Sequence, residues 1–206
     1  MRLRALVCLL SSMLIFGLAA THTAQAKTSE KVVLAGGCFW GMEAVFESLK
    51  GVNSAVSGYA GGSKVTAHYE MVSTGLTGHA ESVEITYDPS QISFDQLLQV
   101  YFLVAHDPTE LNRQGPDAGR QYRSSIFYTT DAQKQAALQY IERLKASKAF
   151  HDPIVTQIVP LEAFYPAEDY HQHFVAHNPG NLYVVYNDKP KLEQLRRKFP
   201  DLLKAH

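Results

Sequence analysis

Gly36-Gly37-Cys38-Phe39-Trp40-Gly41 lies between the apolar run Lys31-Val32-Val33-Leu34-Ala35 and a stretch in which Met42, Phe46 and Leu49 recur at helical spacing as far as Gly51. The run has the length of a buried strand and the spacing is that of a helix, so the whole reads as a strand turning into a helix. Cys38 then sits at a helix N-terminus, where unpaired backbone N–H groups and the positive end of the helix dipole favour an anion. For a cysteine the anion is the thiolate, and a free thiol pKa of about 8.5 is lowered at such positions by about one to several units. The glycines on either side are expected to expose the sulfur rather than pack it. The competing reading is an inert buried cysteine, the commoner fate of this residue.

Outward from this turn, Val52–Tyr59 reads as a strand. A Gly-, Ser- and Thr-rich segment follows from Ala60 to Gly78, with one helical turn expected over His68–Ser73. A loop of that length inside a domain is uncommon and often functional. Ala80–Asp88 alternates, with Glu81, Val83, Ile85 and Tyr87 on one face and Ser82, Glu84 and Thr86 on the other. Ser93 is a candidate N-cap for a helix whose stripe is Phe94, Leu97, Leu98, Tyr101 and Phe102, ending at Asp107-Pro108. A second irregular segment, Thr109–Arg123, is broken by Gly115, Pro116 and Gly119. Ser125–Tyr128 reads as a strand, Asp131 as the cap of a helix through Ala137, Tyr140, Ile141 and Leu144, and Ile154–Val159 as a further strand. From Pro160 the pattern weakens into a polar tail rich in Tyr and His, ending in a charged helical run, Lys189–Lys204. This order predicts an α/β (α+β) two-layer sandwich, with helices on one face of a mixed or antiparallel sheet, long coils and a C-terminal wrap.

The bulk numbers are those of a globular chain: 206 residues, 46% hydrophobic and 19% charged. A formal charge of −1 gives no footprint for nucleic acid or an anionic membrane. The N-terminus is a separate matter. Arg2 and Arg4 precede an apolar run from Ala5 to Ala20, and Ala24-Gln25-Ala26 is a small-x-small cleavage site. Residues 1–26 therefore read as a secretory signal peptide, and residues 27–206 as a single exported domain, periplasmic or secreted, with no stable membrane association. Cleavage removes two arginines and no acid, taking the charge from −1 to −3. It also removes Cys8, so Cys38 is expected to be the only cysteine of the mature protein, with no intramolecular disulfide to join. A lone cysteine in an oxidising compartment is odd for a structural residue and natural for a reactive one.

Glu81 begins a strand on its apolar face, where a carboxyl has its charged form disfavoured and its pKa raised, as suits a proton donor. A bulge turning it outward is the alternative. Tyr59 closes a strand beside Gly58, and Asp117 and Tyr122 lie in the irregular Gly115–Arg123 segment; each could hydrogen-bond a polar substrate atom. Singly, each is more often a packed tyrosine or a turn-forming aspartate. Phe39 and Trp40 follow the cysteine directly, as core residues or as a flat apolar wall for a small substrate group. His171, His173 and His177 cluster in the tail, and the last two have the i, i+4 spacing of a helical metal site, without a further strong ligand spacing. A hydrolase dyad of Cys38 with His79, His106 or His171 stays open, as does a non-enzymatic exported binding module.

Gly37-Cys38-Phe39-Trp40-Gly41 resembles the signature of the A-type peptide methionine sulfoxide reductases. Ser57-Gly58-Tyr59-Ala60-Gly61-Gly62, Thr77-Gly78-His79-Ala80-Glu81, Gly119-Arg120-Gln121-Tyr122-Arg123-Ser124 and Phe164-Tyr165-Pro166-Ala167-Glu168-Asp169-Tyr170-His171-Gln172 resemble further motifs of that family, in family order. The resemblance implies a ferredoxin-like core and reduction of methionine S-sulfoxide, free or within oxidised proteins, with no metal or flavin. It makes Cys38 the nucleophile, Glu81 the proton donor, Tyr59, Asp117 and Tyr122 the hydrogen-bonding groups, and Phe39 and Trp40 the pocket for the substrate methyl. Many members carry further cysteines near the C-terminus, whereas Asp188–His206 contains none. The resemblance therefore implies a monomeric single-cysteine enzyme reduced by an external thiol: a thioredoxin-like protein, a glutaredoxin or a small thiol.

Overall fold

Alternation along Ala80–Tyr87 (β3) sets the centre of the sheet: Val83, Ile85 and Tyr87 point into the core and are fully buried. The computed structural model describes residues 29–205, so the segment read as a signal peptide, with Cys8, lies outside the described residues. β3 pairs antiparallel with Glu30–Ala35 (β1) on one side and Val52–Ala60 (β2) on the other. Ser125–Tyr128 (β6) adds to the outer edge of β1, also antiparallel. The helix Phe39–Glu47 (α1) joins β1 to β2, and Phe94–Val100 (α3) lies between β3 and β6. Element order and the strand order β6-β1-β3-β2 make this the ferredoxin-like β-α-β-β-α-β arrangement.

Two strands widen it. Gln157–Pro160 (β7) runs parallel to β6 after the helix Asp131–Ala146 (α4), and Phe164–Pro166 (β8) pairs antiparallel with the free edge of β2. The sheet is thus mixed, as the sequence predicts. The main core lies between its helical face and α1, α3 and α4, around Leu34, Met42, Phe46, Ile85, Leu97 and Ile141. The opposite face carries a smaller cluster of Val33, Ala35, Ala60, Ala80 and Phe127, covered by Val159, Leu161 and Phe164.

Local sequence accounts for most boundaries. Ser93 caps α3 reciprocally: its Oγ accepts from Gln96 N at 3.2 Å while Gln96 Oε1 accepts from Ser93 N at 2.9 Å. α3 passes into a π turn at Tyr101–Ala105, which its apolar stripe does not distinguish from a plain helix. Two details differ from the sequence reading. Thr130, not Asp131, caps α4, its side chain accepting from Gln133 N at 3.2 Å, and Asp131 becomes the acid of the first turn. The strand expected from Ile154 begins at Gln157.

The polar tail is also more ordered than its weak pattern suggested. Besides β8 it contains Phe174–His177 (α5) and a helix that widens through a π turn at Val184–Asp188 before Lys189–Lys198 (α6), which packs against α1. Gln172 ties this tail to β2, donating to Ser57 O and accepting from Ser57 N, each at 3.0 Å. In the irregular Thr109–Arg123 segment, Arg113–Gln114 (β4) and Asp117–Ala118 (β5) form a small hairpin. The short helix Tyr69–Val72 (α2) is the turn expected in the first irregular segment.

Candidate active site

Gly37 makes the turn from β1 into α1. Its φ of +92° lies in the left-handed region, and a Cβ there would run into the side chain of Gln114. Cys38 follows as the N-cap residue of α1. It is 8% exposed, so the flanking glycines do not expose it, contrary to the sequence reading. The consequence for its charge is large. Burial pushes the thiol well above its ordinary range, and the neighbouring carboxyls of Glu81 and Asp188 push it the same way; the Trp40 N–H and Lys191 pull it down. Desolvation therefore outweighs the helix N-terminus, and the resting group is the neutral thiol rather than the expected thiolate.

Glu81 lies where the alternation of β3 predicts, facing inward and 2% exposed. Its Oε2 accepts a hydrogen bond from Phe39 N at 3.1 Å, the first N–H of α1. Burial is the largest effect on it and raises its pKa to about 8; the Phe39 N–H opposes this and Asp117 reinforces it. At neutral pH Glu81 is mostly protonated, with one oxygen held by the helix start and a proton available to a partner.

The tyrosines divide differently from the sequence reading. Tyr59 pairs with Glu81 across β2 and β3, but its hydroxyl donates to Glu168 Oε2 at 2.8 Å and its ring is buried against Phe39. It is therefore engaged in holding the tail rather than free for a substrate. Tyr69, on α2, is placed by a bond from its N–H to the other oxygen of Glu168, at 2.9 Å. Glu81 and Cys38 lie within electrostatic reach of both Tyr69 and Tyr122, and on neither hydroxyl is there a hydrogen-bond partner among the described residues. Tyr69 and Tyr122 are thus the pair of free donors beside the sulfur.

Asp117 accepts a hydrogen bond from the Tyr183 hydroxyl, and burial raises its pKa. Tyr183 also lies within electrostatic reach of Cys38, which brings the C-terminal segment over the site. Phe39 is buried, its ring packed on Tyr59 and His171. Trp40 is partly exposed, stacked on Phe174 at 3.7 Å between ring centroids and meeting the edge of Tyr183 at 5.7 Å. Its indole N–H donates to His171 Nδ1 at 3.1 Å.

None of the histidines weighed as a base for Cys38 pairs with it. His79 Nε2 bonds Ser63 O, His106 Nδ1 bonds Tyr101 O, and His171 receives the Trp40 N–H; burial lowers the pKa of all three. His173 pairs instead with Glu47 at 2.9 Å, and among the described residues no group of three or more His, Cys, Asp or Glu could hold a metal ion.

Sequence reasoning missed Tyr69, Glu168, Tyr183, Asp188 and Lys191. Glu168 lay within a motif already singled out, and the Asn187-Asp188-Lys189-Pro190 start of the last helix was the one available signal for the others in the tail. Tyr69 lay unremarked in the expected helical turn.

A family model described as peptide methionine sulfoxide reductase matches residues 30–203. The chain is 59% identical over 177 residues to peptide methionine sulfoxide reductase MsrA 2 of Mesorhizobium japonicum, covering 86% of this chain and 91% of that one. It is 55% identical over 180 residues to MsrA 2 of Synechocystis sp., covering 87% and 84%. Among solved structures, Mxr1 from Saccharomyces cerevisiae in reduced form is similar with a TM-score of 0.68 at 32% identity, covering 76% of this chain and 89% of that one. Methionine sulfoxide reductase A of Corynebacterium diphtheriae gives 0.64 at 36%, covering 76% and 77%.

Proposed function

The chain belongs to the peptide methionine sulfoxide reductase family and reduces methionine sulfoxide with electrons from a thiol; on that footing we propose that Cys38 attacks the sulfoxide sulfur of the S epimer while Glu81 protonates its oxygen. The observation that carries these roles is Glu81 itself: a buried carboxyl with a pKa raised to about 8, fixed to the first N–H of α1 beside the Cys38 sulfur. Sulfoxide oxygen leaves poorly until it is protonated, so an acid that keeps its proton at neutral pH supplies what the step lacks. The free hydroxyls of Tyr69 and Tyr122 are placed to hydrogen-bond that oxygen, and Trp40 to flank the substrate methyl. Asp117, bonded to Tyr183, helps to orient the polar side of the substrate.

The first half-reaction leaves methionine and a sulfenic acid on Cys38, a species that another thiol reduces. Residues 29–205 contain no second cysteine, so once the segment carrying Cys8 is cleaved the reductant comes from outside the chain, as a thioredoxin-like protein, a glutaredoxin or a small thiol. The charged n-region, apolar run and Ala24-Gln25-Ala26 support export, so the oxidised proteins the chain repairs lie outside the cytoplasm. Incubation with methionine S-sulfoxide and dithiothreitol tests the roles: wild type releases methionine and Cys38→Ser does not. Turnover by Cys38→Ser would remove the cysteine from the chemistry.

A further inference from the structure

The C-terminal segment brings to the site a carboxylate that the chemistry above does not use. Asp188 ends the π turn before α6 and is fully buried, and neither Oδ1 nor Oδ2 has a hydrogen-bond partner among the described residues. A buried, unpaired carboxylate is costly, and such groups concentrate at functional sites. The carboxylate lies against the first turn of α1. A Cβ on Gly41 would overlap Asp188 Oδ1 and come within 3.2 Å of Lys191 Nζ. Gly41, three residues beyond Cys38, is glycine because Asp188 occupies the space a side chain would need. The π turn, by inserting a residue into the helix, sets Asp188 against that space.

The neutral state of Cys38 creates a need that this position can meet. A thiol must lose its proton as its sulfur attacks, and Glu81 already holds one. Asp188 is the other carboxyl whose charge acts on Cys38. The groups facing Asp188 are Lys191 of α6, Asp117 of β5, Tyr183 and Cys38. Burial raises its pKa to about 6, Lys191 lowering it and Asp117 adding to the rise, so it is mostly ionised at pH 7 while Glu81 is mostly protonated. Two carboxyls held in opposite protonation states around one reacting centre are the usual arrangement of an acid and a base.

Resting on the roles of Cys38 and Glu81 above, we propose that Asp188 is the general base that accepts the Cys38 thiol proton, directly or through one water, as the sulfur attacks. The Cys38 S–H bond breaks and its electron pair forms a bond to the sulfoxide sulfur. Glu81 gives its proton to the sulfoxide oxygen, and Asp188 receives the thiol proton. As methionine departs, the hydroxyl passes to the Cys38 sulfur. Cys38 is oxidised by two electrons and the sulfoxide sulfur reduced by two. One proton has left Glu81 and one has reached Asp188, with no change in total charge.

The test is single-turnover methionine release from methionine S-sulfoxide by the full chain, without reductant, across pH 5–9. Wild type loses rate below about pH 6 as Asp188 is protonated. Asp188→Asn, which keeps the volume, slows the step about 10²–10⁴-fold at pH 7 and replaces that limb, with its break near pH 6, by a rate that climbs with pH across the whole range as the thiol ionises unaided. A merely structural role lowers the rate uniformly and leaves the limb in place. Retention of the limb in Asp188→Asn, or a rate within threefold of wild type, overturns the proposal. So does a wild-type profile without a limb near pH 6, which decides the matter even if the variant does not fold. Failure of the underlying roles reads differently: wild type then releases no methionine, or Cys38→Ser still does.

Discussion

Glu81→Gln replaces a buried acid with a neutral isostere whose carbonyl can still accept the Phe39 N–H, so it separates catalysis from folding. A carboxyl whose pKa rises from 4.5 to about 8 on folding binds its proton more tightly in the native state. Its contribution to stability is fully present below pH 4.5 and is lost as pH rises to 8, by about 5 kcal/mol at about 1.4 kcal/mol per pH unit. The glutamine has no such loss. The variant should therefore match wild type near pH 4.5 and exceed it by about 3 kcal/mol at pH 7. Glu43, which burial raises to about 7, gives a similar loss in both proteins and cancels from the difference. Catalysis moves the other way: without a proton for the oxygen, the reductive step should slow about 10²–10⁴-fold, or about 3–5 kcal/mol of barrier. Urea unfolding at pH 5, 7 and 8 with single-turnover methionine release measures both. A stability difference that does not grow with pH, or a rate within threefold of wild type, would refute the reasoning.

Tyr69→Phe and Tyr122→Phe each remove a free donor at the reacting oxygen and should each cost about 1–3 kcal/mol in kcat/KM. An unchanged kcat/KM in both would leave the oxygen without its tyrosine partners. Tyr59→Phe, whose hydroxyl serves Glu168, should leave kcat/KM within about threefold and lower stability by about 1 kcal/mol in urea unfolding. A catalytic loss as large as that of Tyr69→Phe would restore Tyr59 to the site. Ser93→Ala breaks the reciprocal cap of α3 and should cost about 1 kcal/mol of stability with turnover untouched; full stability would mean that α3 does not depend on its cap.

The parts of this architecture set by local rules were legible in the chain. Alternation along Ala80–Tyr87 fixed both the strand and the inward face of Glu81, and the Ser93 cap and apolar stripe located α3. The turn at Gly37 placed Cys38 at the start of α1. What sequence could not weigh was the balance between the dipole at Cys38, which is local, and its desolvation, which depends on the C-terminal segment folding back from more than 140 residues away. The same distance hid Asp188 and Tyr183. It also hid the exchange of roles between Tyr59 and Tyr69, because both answer to Glu168, a residue about 100 positions downstream of either. Periodicity finds elements; it does not report which hydroxyl a distant carboxylate has already taken.

The proposed reaction leaves the oxygen on Cys38, with no second cysteine among residues 29–205 to remove it. Mass spectrometry after a single turnover on methionine S-sulfoxide, without added thiol, tests it directly. One methionine released per protein, with the mass of one oxygen atom gained at Cys38 and trapped by a sulfenic-acid reagent, is the expected result. Methionine release without that gain, or with the oxygen on another residue, would contradict it.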